Sequence, residues 1–322
     1  MTLAHGGDRA EAARIGGTPC WLDLSTGINP HAYPVTLTPG DWTALPQPSA
    51  LTALLRAARA AYGVPDAAAI VAAPGTQLLL QLLPIVCPQR AIAIVAPTYG
   101  EHGATWRASG AVVRHVPAPI AGESLVVVNP NNPDGQRHDP QSLKTLGAIA
   151  QEAGHILVVD EAFCDVDPAL SVAGAPGTIV LKSFGKFFGL AGLRLGFAIG
   201  APAPIGRLEA ALGPWAVSGP ALSVGARALA DHAWQAAMRT QLRHERAALD
   251  ATLSKAGLSV VGGTDLFRLI ETPDAASLQR GLARRGVFTR AFPEHPSWLR
   301  FGLPGDDAAH FAATLLEAAQ EA

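Results

Sequence analysis

The apolar positions of this chain fall into short continuous runs that alternate with stretches of helical spacing. Runs at Ile70–Ala73, Ala91–Val95, Leu125–Asn129, Ile156–Asp160 and Ile179–Lys182 are bounded by turn residues, as strands buried on both faces of a parallel sheet are. Between them, Gln77–Val86, His102–Ser109 and Pro140–Ala153 read as helices. Upstream, Leu51, Leu54, Leu55 and Ala58 give Ser49–Tyr62 a helical stripe that stops at Gly63. The alternation predicts an α/β layer structure, a mostly parallel sheet covered by helices.

The two ends read differently. Residues 1–40 are rich in Gly, Pro, Asn and Thr and predict an arm without a long helix, carrying one strand at Trp21–Leu24. Beyond Pro214 a long helical pattern runs through Ala221–Lys255 and breaks at Gly257. Strands at Ser259–Val261, Leu266–Ile270, Val287–Arg290 and Leu299–Gly302 then mix with helices at Ala275–Arg285 and Ala308–Ala319. The texture changes at about Pro214, and helices beside short strands there suggest a smaller α+β domain.

Composition narrows the function classes. The 322 residues carry 24 Lys+Arg and 26 Asp+Glu, a net charge of −2, which gives no electrostatic case for a nucleic-acid or acidic-membrane partner. The apolar runs are far shorter than the roughly 20 residues of a membrane helix. The first eight residues, Met-Thr-Leu-Ala-His-Gly-Gly-Asp, lack a basic segment followed by an apolar one. Cys20, Cys87 and Cys164 are too far apart for a metal pattern or an obvious disulfide framework. A cytoplasmic enzyme or binding protein without a metal is expected.

Candidate chemistry gathers at the ends of the expected strands, where open α/β sheets bind ligands. Pro74-Gly75-Thr76-Gln77 joins a strand to a helix; it is either an ordinary joint or an anion site made by backbone N–H groups. Asn129-Pro130-Asn131-Asn132-Pro133-Asp134-Gly135 is a turn, or a turn that also aims one amide at a ligand. Asp160, ending an apolar run, is a helix cap or a carboxylate kept for a cationic partner. Lys186 lies among phenylalanines and glycines, where desolvation makes an amine nucleophilic. Ser183 and Arg194, three before and eight after it, could reach one phosphate. The stretch is no phosphate-binding P-loop, since position 180 is Val and no Ser or Thr follows the lysine. Arg300, framed by Leu299 and Phe301, calls for an anion, either a ligand or an internal carboxylate.

In this order, the segments resemble the fold-type I pyridoxal 5'-phosphate enzymes of the class I and II aminotransferase group, over nearly the whole chain. The resemblance implies a large domain over 41–213 with a seven-stranded, mostly parallel sheet sandwiched by helices, a small α+β domain made of 1–40 and 214–322 with Pro214–Pro220 as the hinge, and a homodimer with sites at the subunit interface. It also implies roles. Lys186 would carry the cofactor and shuttle protons, Asp160 would pair with the pyridinium nitrogen, and Asn132 would bond the ring O3′. Gly75, Thr76, Gln77, Ser183 and Arg194 would hold the cofactor phosphate; Tyr99 would stack on the ring, and Arg300 would take the substrate carboxylate. Two positions depart from the group: Phe163 stands where many members have a Tyr, and Leu45 where many offer a Tyr to the partner subunit.

His5-Gly6-Gly7-Asp8 and Leu22–Pro30 resemble the opening of a narrower branch, which in cobalamin biosynthesis turns L-threonine O-3-phosphate into (R)-1-amino-2-propanol O-2-phosphate and carbon dioxide. The substrate expected is therefore a small phosphorylated amino acid. The alternative is an aminotransferase on a phosphorylated amino compound, of the histidinol-phosphate kind. Decarboxylation needs the Cα–carboxylate bond perpendicular to the cofactor ring, and a second anion pocket could impose that pose through the substrate phosphate. His5, Gly6, Asn29 and Arg268 are its candidates, beside Asn132 and Arg300. A cofactor-sensing transcription regulator is disfavoured, since 1–40 is too short for a DNA-binding domain.

Overall fold

The computed structural model describes residues 6–321. In chain order the strands are β1 (Leu22–Asp23), β2 (Ala69–Ala73), β3 (Ala91–Val95), β4 (Val112–Val116), β5 (Leu125–Val128), β6 (Leu157–Asp160), β7 (Thr178–Ser183) and β8 (Gly196–Gly200). Further on come β9 (Ser259–Thr264), β10 (Phe267–Glu271), β11 (Val287–Phe288), β12 (Arg290–Phe292) and β13 (His295–Gly302). They belong to two compact units. The larger comprises 32–132 and 136–235; the smaller comprises the chain up to His31, Pro133–Gly135, and the chain from Ala236 on.

The larger unit is built on a seven-stranded sheet in the order β2-β8-β7-β6-β5-β3-β4. Neighbouring strands from β7 to β4 pair parallel, and β8 runs against both β7 and β2. This is the mostly parallel sheet expected. Because strand residues alternate faces, the runs feed two cores. Ile92, Val126, Val158 and Leu181 pack on one face with Leu79, Leu83, Trp106, Ile205 and Leu208 of the helices Thr76–Val86, Glu101–Ala108 and Pro202–Leu212. Val95, Val127, Val159 and Val180 pack on the other with Leu143 and Ala150 of the helix Pro140–Glu152. The parity puts Asp160 on the first face and Glu161 on the second.

The smaller unit holds a four-stranded antiparallel sheet, β12-β13-β10-β9, a parallel pair β1–β11, and the helices Ala275–Arg284 and Ala308–Glu321. Gly281 has no side chain where the terminal helix passes close to it; a Cβ there would lie 3.6 Å from that of Ala318.

Several expectations need correction. The arm holds one short helix that its composition did not show, Arg9–Gly16, started by Asp8, whose carboxylate accepts the N–H groups of Ala10 and Glu11, and stopped by Gly17 at φ 70°. The pattern across Ala221–Lys255 is two helices, Gly219–Ala230 and His232–Lys255, because Asp231 accepts the Trp234 N–H and starts a new one. The larger unit also reaches beyond 41–213 at both ends. The helix Gly219–Ala230 belongs to it since Gly225 packs on Leu54 and Leu195; a Cβ at 225 would meet their methyls at 2.8 and 2.6 Å. No helix among the described residues is long and apolar enough to cross a membrane.

Candidate active site

The C-terminal ends of β2, β5, β6 and β7 lie on one edge of the sheet and carry most of the candidate residues. After β2, Gly75 turns the chain at φ +83° into the helix Thr76–Val86. A Cβ on Gly75 would stand 2.6 Å from Arg194 Nη2, so the guanidinium rests on the bare glycine. Arg194 itself has φ 54°, a left-handed conformation uncommon for a non-glycine residue, which tends to persist where surrounding structure enforces it. Ser183, last in β7, is the register partner of Gly196, and Gly196 is packed against the Thr76 N–H. A helix start, an arginine and a hydroxyl thus converge on one place. That combination suits a phosphate monoester, through backbone N–H groups and the helix dipole and through a charge-assisted guanidinium contact.

Gln77 is engaged differently. Its amide donates to Glu101 Oε2 at 2.8 Å and accepts from the Tyr99 hydroxyl at 3.2 Å, so its side chain steadies Tyr99, leaving its backbone in the helix start.

Asp160 is buried at the end of β6. Its Oδ1 accepts the Ala162 N–H at 3.0 Å and its Oδ2 lies 2.9 Å from His102 Nε2. The carboxylate therefore caps a turn and also holds a histidine, and it retains acceptor capacity on both oxygens. Of the three asparagines after β5, two are spent locally. Asn129 accepts the His138 N–H at 2.9 Å, and Asn131 donates to the Pro97 carbonyl and receives the Thr98 hydroxyl. Asn132 is half-buried.

Lys186 sits on the short helix Phe184–Phe187, one turn beyond β7. Phe184, Phe187 and Phe188 are buried around it; Phe188 stacks on Phe184 and on Trp234 at 4.3 and 5.7 Å. This aromatic packing fixes a helix too short to be stable alone. The amine is half-buried and its Nζ stands 5.7 Å from the centre of the Phe163 ring. Phe163 thus offers a π face where a tyrosine would offer a hydroxyl.

In the smaller unit, Arg300 is 7% exposed and donates from Nη2 to the Ser25 carbonyl at 2.8 Å. Its guanidinium lies 5.1 Å from the Phe267 ring centre. Burial, with the Arg290 charge adding, pulls its pKa down to about 9, so it is still a cation at neutral pH. Arg290 is its direct partner across β12–β13, and like charges so placed are unfavourable unless an anion joins them. Gly6 is pressed onto Ser25, where a Cβ would stand 2.4 Å from its carbonyl oxygen, and the Gly7 N–H bonds the Ser25 hydroxyl. Gly6, Ser25 and Arg300 are thereby one cluster. Asn29 accepts the His31 N–H at 2.9 Å in a local turn. Arg268 is engaged differently: its Nε donates to Asp250 at 2.6 Å, an internal counter-ion. His5 lies outside the described residues.

Three residues were missed by the sequence reading: His102, Glu101 and Arg290. A Tyr99-Gly-Glu-His run at a helix start was the available signal for the first two; only the antiparallel register brings the third to Arg300.

Residues 37–313 match the family model described as aminotransferase class I and II. A threonine-phosphate decarboxylase of a Sinorhizobium species is 45% identical over 318 residues, 95% of each chain. One from Pseudomonas aeruginosa is 41% identical over 319 residues, again 95% of each. Among solved structures, the histidinol-phosphate aminotransferase of Sinorhizobium meliloti in complex with pyridoxal 5'-phosphate superposes with a TM-score of 0.82 at 20% identity, covering 99% of this chain and 96% of that one.

Proposed function

The chain belongs to the class I and II aminotransferase family, and on that premise we propose that it decarboxylates L-threonine O-3-phosphate, giving (R)-1-amino-2-propanol O-2-phosphate with pyridoxal 5'-phosphate as cofactor. The observation that carries the cofactor is the cradle in which Arg194 rests on Gly75 beside the helix start and Ser183. A Cβ at 75 would run into the Arg194 guanidinium, so the bare glycine is what lets that cation lie at the helix start, and the residues present fit a phosphate group. When bound, pyridoxal 5'-phosphate supplies an electron sink for the bond broken at Cα.

The chain's own residues do the rest. Gly75, Thr76, Ser183 and Arg194 would bind the phosphate, with Gln77 contributing from the helix start. Asp160, oriented by His102, would hold a proton on the ring nitrogen. Tyr99, held through Gln77 to Glu101, would lie against the ring, and Asn132 would donate to O3′. Lys186 would hold the cofactor covalently and return a proton to the substrate carbon. In the smaller unit, Arg300 would take one anionic group of the substrate and Arg290 would assist it, beside Gly6 and Asn29. Decarboxylation is favoured over transamination by the two decarboxylase relatives, each matched over 95% of its length.

We also propose a homodimer. On the larger unit, Trp42, Leu45 and Trp215 are 60–70% exposed, and Leu45 lines a groove with Gly40, Gln47 and Leu222, the kind of exposed apolar surface that marks interfaces. Light scattering at twice the 33.2 kDa chain mass is the expected result.

The test is turnover with L-threonine O-3-phosphate in the absence of any keto-acid acceptor. Stoichiometric carbon dioxide and amino-propanol phosphate are expected. Turnover that needs an acceptor, or that proceeds with histidinol phosphate instead, would install the aminotransferase reading.

A further inference from the structure

A second charged cluster lies on the opposite face of the same strand ends. Lys182, 2% exposed, stands 2.6 Å from Glu161 Oε2 and 3.6 Å from Asp165 Oδ1. Glu161 is fully buried and also accepts the Ser171 hydroxyl at 2.6 Å and the Val172 N–H at 2.7 Å. The Lys182 ammonium lies 5.0 Å from the centre of the Tyr62 ring. Burial works to lower the lysine's pKa, and Glu161, with Cys164 and Asp165, outweighs it, so the net shift is upward and the lysine is a cation.

The ion pair is hard to explain as a source of stability. Buried pairs often do no better than apolar residues of the same shape, because desolvating both ions offsets their attraction. Its place is more telling. The β6–β7 ladder ends with Asp160 opposite Leu181, and the Glu161 N–H makes a last bond to the Leu181 carbonyl at 2.8 Å. Past that point the two chains part, one into the turn Cys164–Val166 and the other into the helix Phe184–Phe187. Glu161 directly follows Asp160; Lys182 directly precedes Ser183 and is four residues before Lys186. Ser183 in turn is registered with Gly196, which abuts Thr76. A contiguous set of contacts therefore leads from the pair to the phosphate cradle.

We propose that Glu161 and Lys182 are a positioning pair, whose contact beyond the last ladder bond sets the spacing between Asp160 on one strand end and Ser183 and Lys186 on the other. The proposal rests on the reading of those three residues as cofactor ligands.

Lys182→Met alone would leave two buried carboxylates without their cation and can simply unfold, so the test uses the charge-balanced double variant Glu161→Gln/Lys182→Met, with Lys182→Arg as the conservative control. Three quantities are read for each: melting of the cofactor-free protein, Kd for pyridoxal 5'-phosphate, and the pH midpoint of the bound cofactor's visible band. A positioning role predicts a double variant that melts within a few degrees of wild type, binds the cofactor about tenfold or more weakly, as loss of outer-shell partners typically does, and has a displaced midpoint. Lys182→Arg is expected to restore both. Wild-type Kd and midpoint in the double variant would overturn the proposal, as would failure of that variant to fold, which would make the pair a requirement of the fold. Should wild type itself bind no cofactor, the reading under the proposal falls first, and that result is seen before any variant is measured.

Discussion

Lys182 and Lys186 are four residues apart and occupy opposite kinds of environment. Lys182, on the far face of the strand ends, is surrounded by Glu161 and Asp165 and shut off from water. Lys186, on the near side, is half-buried against the Phe163 ring. On the far face the charges are spent on one another. On the near side Asp160 and Arg194 are placed by protein contacts, with His102 and the Ala162 N–H on the carboxylate and Gly75 beneath the guanidinium. In the smaller unit Arg268 has Asp250 at 2.6 Å, whereas Arg300 donates to the Ser25 carbonyl and is registered with Arg290. For Lys182 and Arg268 a carboxylate neighbour compensates the charge, and burial alone does not assign a charge its role.

The sharpest way to break the comparison is to exchange the consequences of removing each lysine. Lys186→Ala is expected to cut turnover by at least about 10³-fold while leaving the melting temperature of the cofactor-free protein nearly unchanged. Lys182→Met is expected to act first on the fold, destabilising it by roughly 3–5 kcal/mol through uncompensated buried carboxylates, read as a lower denaturant midpoint. If instead Lys182→Met abolished turnover at full stability, the two environments would have been misassigned.

The arginines give a smaller effect. Arg300→Met should raise KM for the phosphorylated substrate by about 10- to 100-fold, from the roughly 1.5–3 kcal/mol of a hydrogen bond to a charged group. Arg268→Met should chiefly lower stability, since it frees Asp250. Steady-state kinetics and thermal melts on both variants separate the outcomes. Next comes Gly75→Ala, which puts a methyl at φ +83° against Arg194; the strain of about 1 kcal/mol or more should appear as a weaker cofactor Kd. Smallest is His102→Asn, which should lower kcat by several-fold through a less well held Asp160, with KM little changed.

Much of this arrangement could be read from residue order. Ala91–Val95 is a strand as expected, since an apolar run bounded by turn residues has few other uses. Asp160 and Ser183 are candidates because each stands at the end of such a run, and Lys186 because phenylalanines and glycines surround it. Two strands escaped. β4 is an edge strand whose exposed Arg114 and His115 break the apolar pattern, and β8, begun and ended by Gly196 and Gly200, reads as loop although its interior is buried between β2 and β7. The partners of the candidate residues were the least legible part. His102 reaches Asp160 across 58 positions and Arg290 reaches Arg300 through a hairpin, and neither relation leaves a local trace. Glu161 and Lys182 were passed over for the same reason, because their pairing depends on the β6–β7 register.

Which lysine carries the cofactor is a question this chain makes clean. Its lysines are Lys144, Lys182, Lys186 and Lys255; Lys144 and Lys255 are exposed on helices and Lys182 is sealed in the core. Reduction of the cofactor-loaded protein with borohydride, followed by digestion and mass spectrometry, is expected to place a pyridoxyl group on the peptide containing Lys186. A protein that takes up no pyridoxyl group, or takes it up at Lys144, Lys182 or Lys255, would contradict the account.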